Sequence, residues 1–213
     1  MKTIVFYGDS NTWGFDAETG NRFPYERRWT TIAAEKLGGA YNIVVEALNG
    51  RTTVFDEPFY PYRNGRFAFT MLLDSHHPID LLAIMLGTND TKEFLHNRPE
   101  TSSWGIRSLI RLARGGEFGP GKGDPKILII APPAIIRGDP SAAAFDIREF
   151  DGAPAWSAGL AEEYKKTARE NGCYFLDAAP VVKVSPIDGV HIEGGSQRPL
   201  GDWIAGEILK LEF

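Results

Sequence analysis

The stretch Thr3-Ile4-Val5-Phe6-Tyr7-Gly8-Asp9-Ser10-Asn11-Thr12 decides the fold class and supplies the first candidate for chemistry. Residues 3–7 are rich in β-branched and aromatic side chains and are followed by a glycine, a pattern typical of a buried strand that stops at a turn. In an open parallel sheet, ligands bind at the carboxyl ends of the strands. Ser10 is therefore expected where substrates bind, although Gly-Asp-Ser by itself is also common in turns and helix N-caps.

Strand-like and helix-like segments alternate along the whole chain. This alternation predicts a single α/β domain over residues 1–213, a three-layer α/β/α sandwich around a five-stranded parallel sheet. Right-handed crossovers favour the flavodoxin-like strand order 2-1-3-4-5. The candidate strands are residues 3–7, 42–47, 81–86, 126–131 and 173–177, and the candidate helices are residues 29–37, 65–76, 103–114, 154–171 and 200–211.

Composition and charge exclude several classes of protein. The net charge of −5 argues against a general nucleic-acid or anionic-membrane surface. No run of apolar residues approaches the length of a transmembrane helix. The single cysteine, Cys173, excludes an internal disulfide, and the first residues lead directly into the first strand, with no pattern of a signal peptide. A cytoplasmic protein that binds neither nucleic acid nor membrane is expected.

Three further polar segments follow predicted strands. Asn49-Gly50-Arg51 comes after the second strand, Gly87-Thr88-Asn89-Asp90 after the third, and Asp188-Gly189-Val190-His191 after the fifth. Together with Ser10, these segments resemble the SGNH family of GDSL-type serine hydrolases, which is named for its Ser, Gly, Asn and His. The resemblance covers nearly the whole chain, and its motifs occur in the family's order. The matching residues are Ser10, Gly50, Asn89 and His191.

A serine hydroxyl needs an adjacent base to act as a nucleophile at neutral pH. Among the four histidines, His191 is the best candidate, because Asp188 precedes it by three residues and can orient its ring. His96, in the polar stretch after Asn89, is a weaker candidate for the base. The catalytic residues are thus predicted to be Ser10, Asp188 and His191.

The attacked carbonyl becomes an oxyanion, which requires preorganised hydrogen-bond donors. Gly50 can bring its backbone N–H close to a ligand because glycine has no Cβ. Asn89 can offer its side-chain amide, and the backbone N–H of Ser10 is a third donor. Either Asn89 or Gly50 alone would be read as a turn residue, but with an acid and a base in the same crevice an oxyanion hole is the better interpretation.

The sequence predicts neither a cofactor nor a metal ion. The first strand is followed by neither a Gly-x-Gly-x-x-Gly fingerprint nor a Walker lysine. Asp9, Asp90 and His191 are compatible with a metal phosphoesterase. However, no His-x-x-x-His pair is present, and the one Asp-x-His pattern, Asp74-Ser75-His76, lies at a predicted helix end and not beside these residues, so the sequence does not indicate a metal cage.

Within the family, the motifs around Trp13, Arg51-Thr52-Thr53 and Asn89 look most similar to bacterial arylesterase/acyltransferase members. This resemblance implies hydrolysis of small, chiefly acetyl, esters, acyl transfer to alcohols or peroxide, and assembly into homo-oligomers. Asn11 stands where the Gly-Asp-Ser-Leu form has leucine, which predicts a more polar wall beside the nucleophile. Asn11 and Trp13 are expected to contact the substrate.

Other functions remain open from the sequence. The same catalytic residues would serve a carbohydrate O-acetylesterase, a thioesterase or a lysophospholipase. A flavodoxin-like module that binds a small ligand without turnover is the non-enzyme alternative, although the complete Ser, Asp and His set disfavours it. Reaction with a serine-directed fluorophosphonate distinguishes an enzyme from a binder.

Two connections look like elaborations of the fold. The first loop (residues 55–67) is dense in aromatic residues and proline, and the second loop (residues 135–156) is long and irregular. Such loops form lids, interfaces or locally packed surfaces. We expect the aromatic residues near the first loop to pack on a neighbouring subunit and to narrow the entrance to Ser10; the alternative is that they cover their own core. These aromatic residues are Phe55, Phe59, Tyr60, Tyr62, Phe67 and Phe69.

Overall fold

The computed structural model describes all 213 residues. Five parallel strands form one sheet in the order β2-β1-β3-β4-β5, with helices on both faces. The predicted fold class and strand order are confirmed. The strands are β1 (Lys2–Gly8), β2 (Tyr41–Ala47), β3 (Leu81–Met85), β4 (Lys126–Ala131) and β5 (Tyr174–Asp177).

Seven α-helices surround the sheet, and none is long and apolar enough to cross a membrane. Short 3-10 turns add to them, among them Asn89–Thr91 after β3 and Ile147–Phe150 in the second loop. The helices are α1 (Ser10–Trp13), α2 (Trp29–Leu37), α3 (Phe69–His76), α4 (Pro99–Arg114), α5 (Ala153–Ser157), α6 (Leu160–Glu170) and α7 (Gln197–Ile208).

The sheet is buried on both faces because successive residues of a strand point to opposite sides. In β1, Val5 and Tyr7 pack with α3, α4 and α6, whereas Ile4 and Phe6 pack with α2 and α7. The parallel register places the end of β1 beside the ends of both neighbours, since Gly8 is opposite Ala47 of β2 and Met85 of β3. The loops that leave these three strands therefore start side by side.

Four of the five predicted helices have different bounds in the structure. Helix α4 begins at Pro99 instead of residue 103, and α7 spans Gln197–Ile208 instead of residues 200–211. The other two differences are larger. The predicted helix 154–171 is divided into α5 and α6 at Gly159, where a Cβ would lie 2.8 Å from Pro99 Cγ at the start of α4. The predicted helix 65–76 begins only at Phe69. A Cβ at Gly65 would lie 2.5 Å from the carbonyl oxygens of Thr52 and Thr53, so the chain at Gly65 packs on the loop after β2 instead of continuing a helix. Both differences come from contacts between distant segments.

Candidate active site

Ser10 is the first residue of α1, directly after the turn that ends β1. The Asp9 side chain caps this helix, since its Oδ1 accepts a hydrogen bond from the Asn11 N–H at 2.9 Å. No side chain fits at Gly8, where a Cβ would lie 2.1 Å from Thr12 Oγ1. Asp9 is completely buried, and burial raises its pKa to about 7 in spite of the hydrogen bond from Asn11. The tight turn thus presents the Ser10 hydroxyl at the end of the sheet.

The structure brings the three predicted catalytic side chains into one hydrogen-bonded chain. His191 Nε2 lies 2.8 Å from Ser10 Oγ, and His191 Nδ1 lies 2.6 Å from Asp188 Oδ2. The other carboxylate oxygen of Asp188 accepts hydrogen bonds from the backbone N–H groups of Val190 and His191 at 2.9 and 3.0 Å. All three side chains are buried, although Ser10 and His191 are separated by 181 positions in the sequence.

The environment of Asp188 keeps it ionised. Burial alone would raise the pKa of this carboxyl, but the hydrogen bonds from His191 and Val190 and the charge of His191 lower it below its ordinary value. A negatively charged Asp188 favours the imidazole tautomer that carries its proton on Nδ1, which leaves Nε2 free to accept the proton of Ser10. The arrangement is therefore that of a serine with an oriented general base.

Two aromatic rings hold the imidazole of His191 in place. Phe15 lies against it with ring centroids 4.3 Å apart, and Phe145 meets it edge-on with centroids 5.7 Å apart. Phe145 belongs to the second loop, so part of that loop packs on the predicted base. Sequence reasoning missed both rings, because no sequence signal links them to His191.

The predicted oxyanion donors border the same cavity as Ser10 and His191. Gly50 has a φ of +75°, a conformation that favours glycine, and its N–H donates to no protein acceptor. Asn89 Nδ2 donates one hydrogen bond to the Arg51 carbonyl at 3.1 Å, which leaves its second N–H available. The Ser10 N–H lies in the first turn of α1, where backbone N–H groups have no partner within the helix.

A buried contact fixes the two loops that carry Gly50 and Asn89. The Asp90 carboxylate accepts hydrogen bonds from the Thr53 N–H at 2.7 Å and from the Thr53 hydroxyl at 2.5 Å. Asp90 is completely buried, and burial raises its pKa to about 6 although the Thr53 bonds oppose this shift. This contact joins the loops that follow β2 and β3.

The cavity beside Ser10 has a volume of about 470 Å³. Both elaborated loops contribute to its wall, the first through Tyr60 and Arg63 and the second through Phe145 and Phe150. Lys92 and Glu149 also line it, and sequence reasoning missed both of these charged residues. No local motif marks them, since their partners lie on distant segments.

The remaining predicted residues lie elsewhere. Asn11 and Trp13, expected to contact the substrate, are not in the cavity wall. The Asn11 side chain is buried, and its Oδ1 accepts a hydrogen bond from the Ile192 N–H at 2.9 Å, so it holds the His191 loop against α1. The Trp13 ring is covered by the Arg22 guanidinium, 4.7 Å from its centroid. His96, the weaker candidate base, is also absent from the cavity wall.

The aromatic residues around the first loop divide into two groups. Phe69 is completely buried and packs in the core of its own domain. Phe59, Tyr60, Tyr62 and Phe67 are 66, 53, 66 and 69% exposed. One ring of this set therefore covers its own core, and four remain on the surface. Packing of the exposed rings on a neighbouring subunit stays a prediction.

Comparison with known proteins identifies the family. The sequence pattern of the GDSL-like lipase/acylhydrolase family matches residues 6–194. The chain belongs to this family. Membership makes the protein a carboxylic ester hydrolase, as the sequence predicts, and the triad geometry suits that chemistry. The side chains of His, Cys, Asp and Glu form no group of three or more that could hold a metal ion.

Several solved structures resemble this GDSL hydrolase over its full length. The carbohydrate acetylesterase Est24 from Sinorhizobium meliloti is 34% identical, with a TM-score of 0.92 and complete coverage of both chains. The aryl esterase of M. smegmatis is 32% identical, with the same TM-score and coverage. A putative arylesterase from Agrobacterium tumefaciens is 38% identical, with a TM-score of 0.89 over both complete chains. No curated protein matches the chain significantly in sequence.

Proposed function

We propose that this GDSL hydrolase is a serine esterase that cleaves short-acyl, chiefly acetyl, carboxylic esters through an acyl-enzyme. The proposal rests on the two hydrogen bonds that connect Ser10 to His191 and His191 to Asp188. Ser10 and His191 line the 470 Å³ cavity, where a substrate can reach them. A serine, a base and an orienting acid in this geometry are the requirements of nucleophilic acyl transfer.

In the proposed reaction, Ser10 Oγ attacks the ester carbonyl while His191 Nε2 accepts its proton. The N–H groups of Ser10, Gly50 and Asn89 stabilise the oxyanion of the tetrahedral intermediate. The intermediate collapses when the ester C–O bond breaks and the imidazolium of His191 gives its proton to the leaving alcohol. Water then attacks the acyl-enzyme with His191 as base, which releases the acid and restores Ser10.

The residues that line the cavity favour an ester with a small acyl group. Phe145, Phe150 and Tyr60 bound the space beside Ser10, and a modest cavity with aromatic walls favours acetyl over long chains. Relatives described as aryl esterase and carbohydrate acetylesterase have the same fold over their full length. Resolution of the acyl-enzyme by an alcohol or by peroxide instead of water is part of the proposal.

A second candidate function is carbohydrate O-acetylesterase. The charged side chains of Arg63, Asp146 and Glu149 in the cavity wall suit the hydroxyl groups of a sugar. Two of the similar structures are described as carbohydrate acetylesterases from Sinorhizobium meliloti. Both candidates use the same catalytic residues and differ only in the alcohol portion of the ester.

The experiment that tests the proposal is a panel of esters assayed with the wild type and with Ser10→Ala. The panel contains aryl acetates and longer aryl esters, acetylated sugars, a thioester and a lysophospholipid. We expect acetyl esters to be hydrolysed fastest, and the Ser10→Ala turnover number to fall by about 10⁶-fold, the scale known for loss of a triad nucleophile. A Ser10→Ala variant within tenfold of the wild type would reject the proposal.

We further propose that the protein works in the cytoplasm as a homo-oligomer. The four exposed aromatic rings of the first loop support assembly, since aromatic residues are enriched at protein interfaces. Light scattering at several concentrations should give more than one chain per particle, and Phe59→Ser should shift the distribution towards the monomer. A wild type that is monomeric at every concentration would contradict this part of the proposal.

A further inference from the structure

Lys92 occupies an unusual position between the two elaborated loops. It follows the turn Asn89–Thr91, three residues after the predicted oxyanion donor, and its side chain is only 6% exposed. Its Nζ lies 2.8 Å from Glu57 Oε2 and 2.9 Å from Glu149 Oε2. Glu57 belongs to the first loop and Glu149 to the second, so one buried ammonium group contacts both loops.

Neighbouring contacts join the same three segments. Glu93 accepts a hydrogen bond from the Gly152 N–H at 3.1 Å, and Phe94 packs edge-on against Phe59 with ring centroids 5.0 Å apart. The side chain of Glu57 is completely buried, and its second oxygen accepts the Phe59 N–H at 3.0 Å. The segment after Asn89 is therefore the common attachment of both loops, and the side chain of Lys92 forms ion pairs with both of them.

Both attached loops contribute aromatic rings to the cavity wall. Tyr60 of the first loop and Phe145 and Phe150 of the second loop form the wall next to Ser10. Lys92 lies three residues beyond Asn89 and forms ion pairs with both loops, so it links the segment that begins at the predicted oxyanion donor to the loops that carry these rings. Charge-assisted hydrogen bonds in a buried site are strong enough to hold such a geometry.

We infer that Lys92 is a positioning residue that joins the two loops and thereby restricts the enzyme to short acyl groups. It acts through Glu57 and Glu149 and takes no part in the proton transfers. The inference rests on the proposed esterase function. Without the ammonium, two carboxylates face each other without a counter-charge, and the loops are expected to separate and admit longer acyl chains.

The test combines an activity ratio with a measurement that needs no substrate. For Lys92→Met, the ratio of kcat/KM for an aryl octanoate to that for the acetate should rise at least about tenfold, the smallest factor associated with one methylene group in a hydrophobic pocket. Amide hydrogen exchange in residues 55–67 and 135–156 should accelerate by about tenfold or more, the factor that loss of one charge-assisted hydrogen bond corresponds to.

Two single-loop variants keep the test valid if Lys92→Met folds poorly. Glu149 is 27% exposed, so Glu149→Gln should fold normally and accelerate exchange only in the second loop. Glu57→Gln should accelerate exchange only in the first loop. The matched control is Lys36→Met, which breaks an exposed pair with Asp202 on the far side of the sheet and should leave both readouts unchanged.

The outcomes separate this inference from the proposed function. If the wild type hydrolyses none of the esters, the proposed function fails, and the exchange rates alone decide whether Lys92 joins the loops. In the other case, the wild type proves to be an acetylesterase while a folded Lys92→Met differs from the wild type by less than twofold, both in the octanoate-to-acetate ratio of kcat/KM and in the exchange rates of the two loops. That result would overturn the inference about Lys92 and leave the esterase function intact.

Discussion

Replacing Asp188 by asparagine tests the role of the acid with almost no change of shape. In the structure, one oxygen of Asp188 accepts two backbone N–H groups, and the other faces His191 Nδ1 at 2.6 Å. In Asp188→Asn, the amide oxygen is expected to keep the backbone bonds, so the amide NH₂ must point at Nδ1. This forces Nδ1 to accept a hydrogen bond and places the ring proton on Nε2, opposite Ser10. His191 then cannot act as the base.

The expected loss of turnover is about 10⁴-fold, the effect of the same wrong tautomer in another serine triad. At about 1.36 kcal/mol per tenfold change in rate, this corresponds to about 5.4 kcal/mol of activation free energy. The free energy of unfolding should change far less than the activation free energy. The substitution exchanges one charge-assisted hydrogen bond for a neutral one, a loss of about 1–2 kcal/mol, so Tm should fall by no more than about 8 °C.

The assay is steady-state hydrolysis of an aryl acetate, with circular dichroism and a thermal melt of each variant. Asp139→Asn is the matched control, because Asp139 also accepts a backbone N–H in a turn but lies exposed on the second loop. The control should keep wild-type activity. A well-folded Asp188→Asn enzyme with more than a tenth of the wild-type turnover would refute the tautomer argument.

Two further predictions concern the oxyanion donor and stability against pH. Asn89→Ala should lower kcat by about 10²–10³-fold with a smaller change in KM; an effect on KM alone would make Asn89 a substrate-binding residue. Burial raises the pKa of Asp9 from 3.8 to about 7, so the stability that its protonated form contributes is complete below pH 3.8 and is lost as pH rises through about 7. Urea unfolding at several pH values should therefore show that the free energy of unfolding falls less between pH 5 and 8 in Asp9→Asn than in the wild type. The same fall in both proteins would contradict the raised pKa of Asp9.

The sequence predicts the fold and most of the site because local patterns specify both. The alternation of strands and helices predicts the strand order, and that order is sufficient to bring Ser10 and Asn89 to the same crevice. A turn of four residues places Asp188 beside His191, so this pair also follows from local sequence. What the sequence predicts well is therefore decided by neighbours along the chain or along the sheet edge.

The features that the sequence does not predict depend on contacts between distant loops. Asn11 was expected in the substrate pocket, but a polar side chain at a strand end can equally bond to a backbone group, and here it bonds to Ile192. The attachment of Lys92 to Glu57 and Glu149 requires knowing how two irregular loops fold back on the sheet. Neither contact produces a local motif or a periodic pattern.

The central claim is that Ser10 forms a covalent bond with the substrate during turnover. The most direct measurement is incubation with a fluorophosphonate that phosphonylates activated serines, followed by mass spectrometry of the digested protein and a parallel assay of residual esterase activity. We predict one adduct per chain, located on Ser10, with activity lost in proportion to labelling and no adduct in Ser10→Ala. Full inhibition with the adduct on another residue, or an unlabelled Ser10 in an active enzyme, would contradict the account.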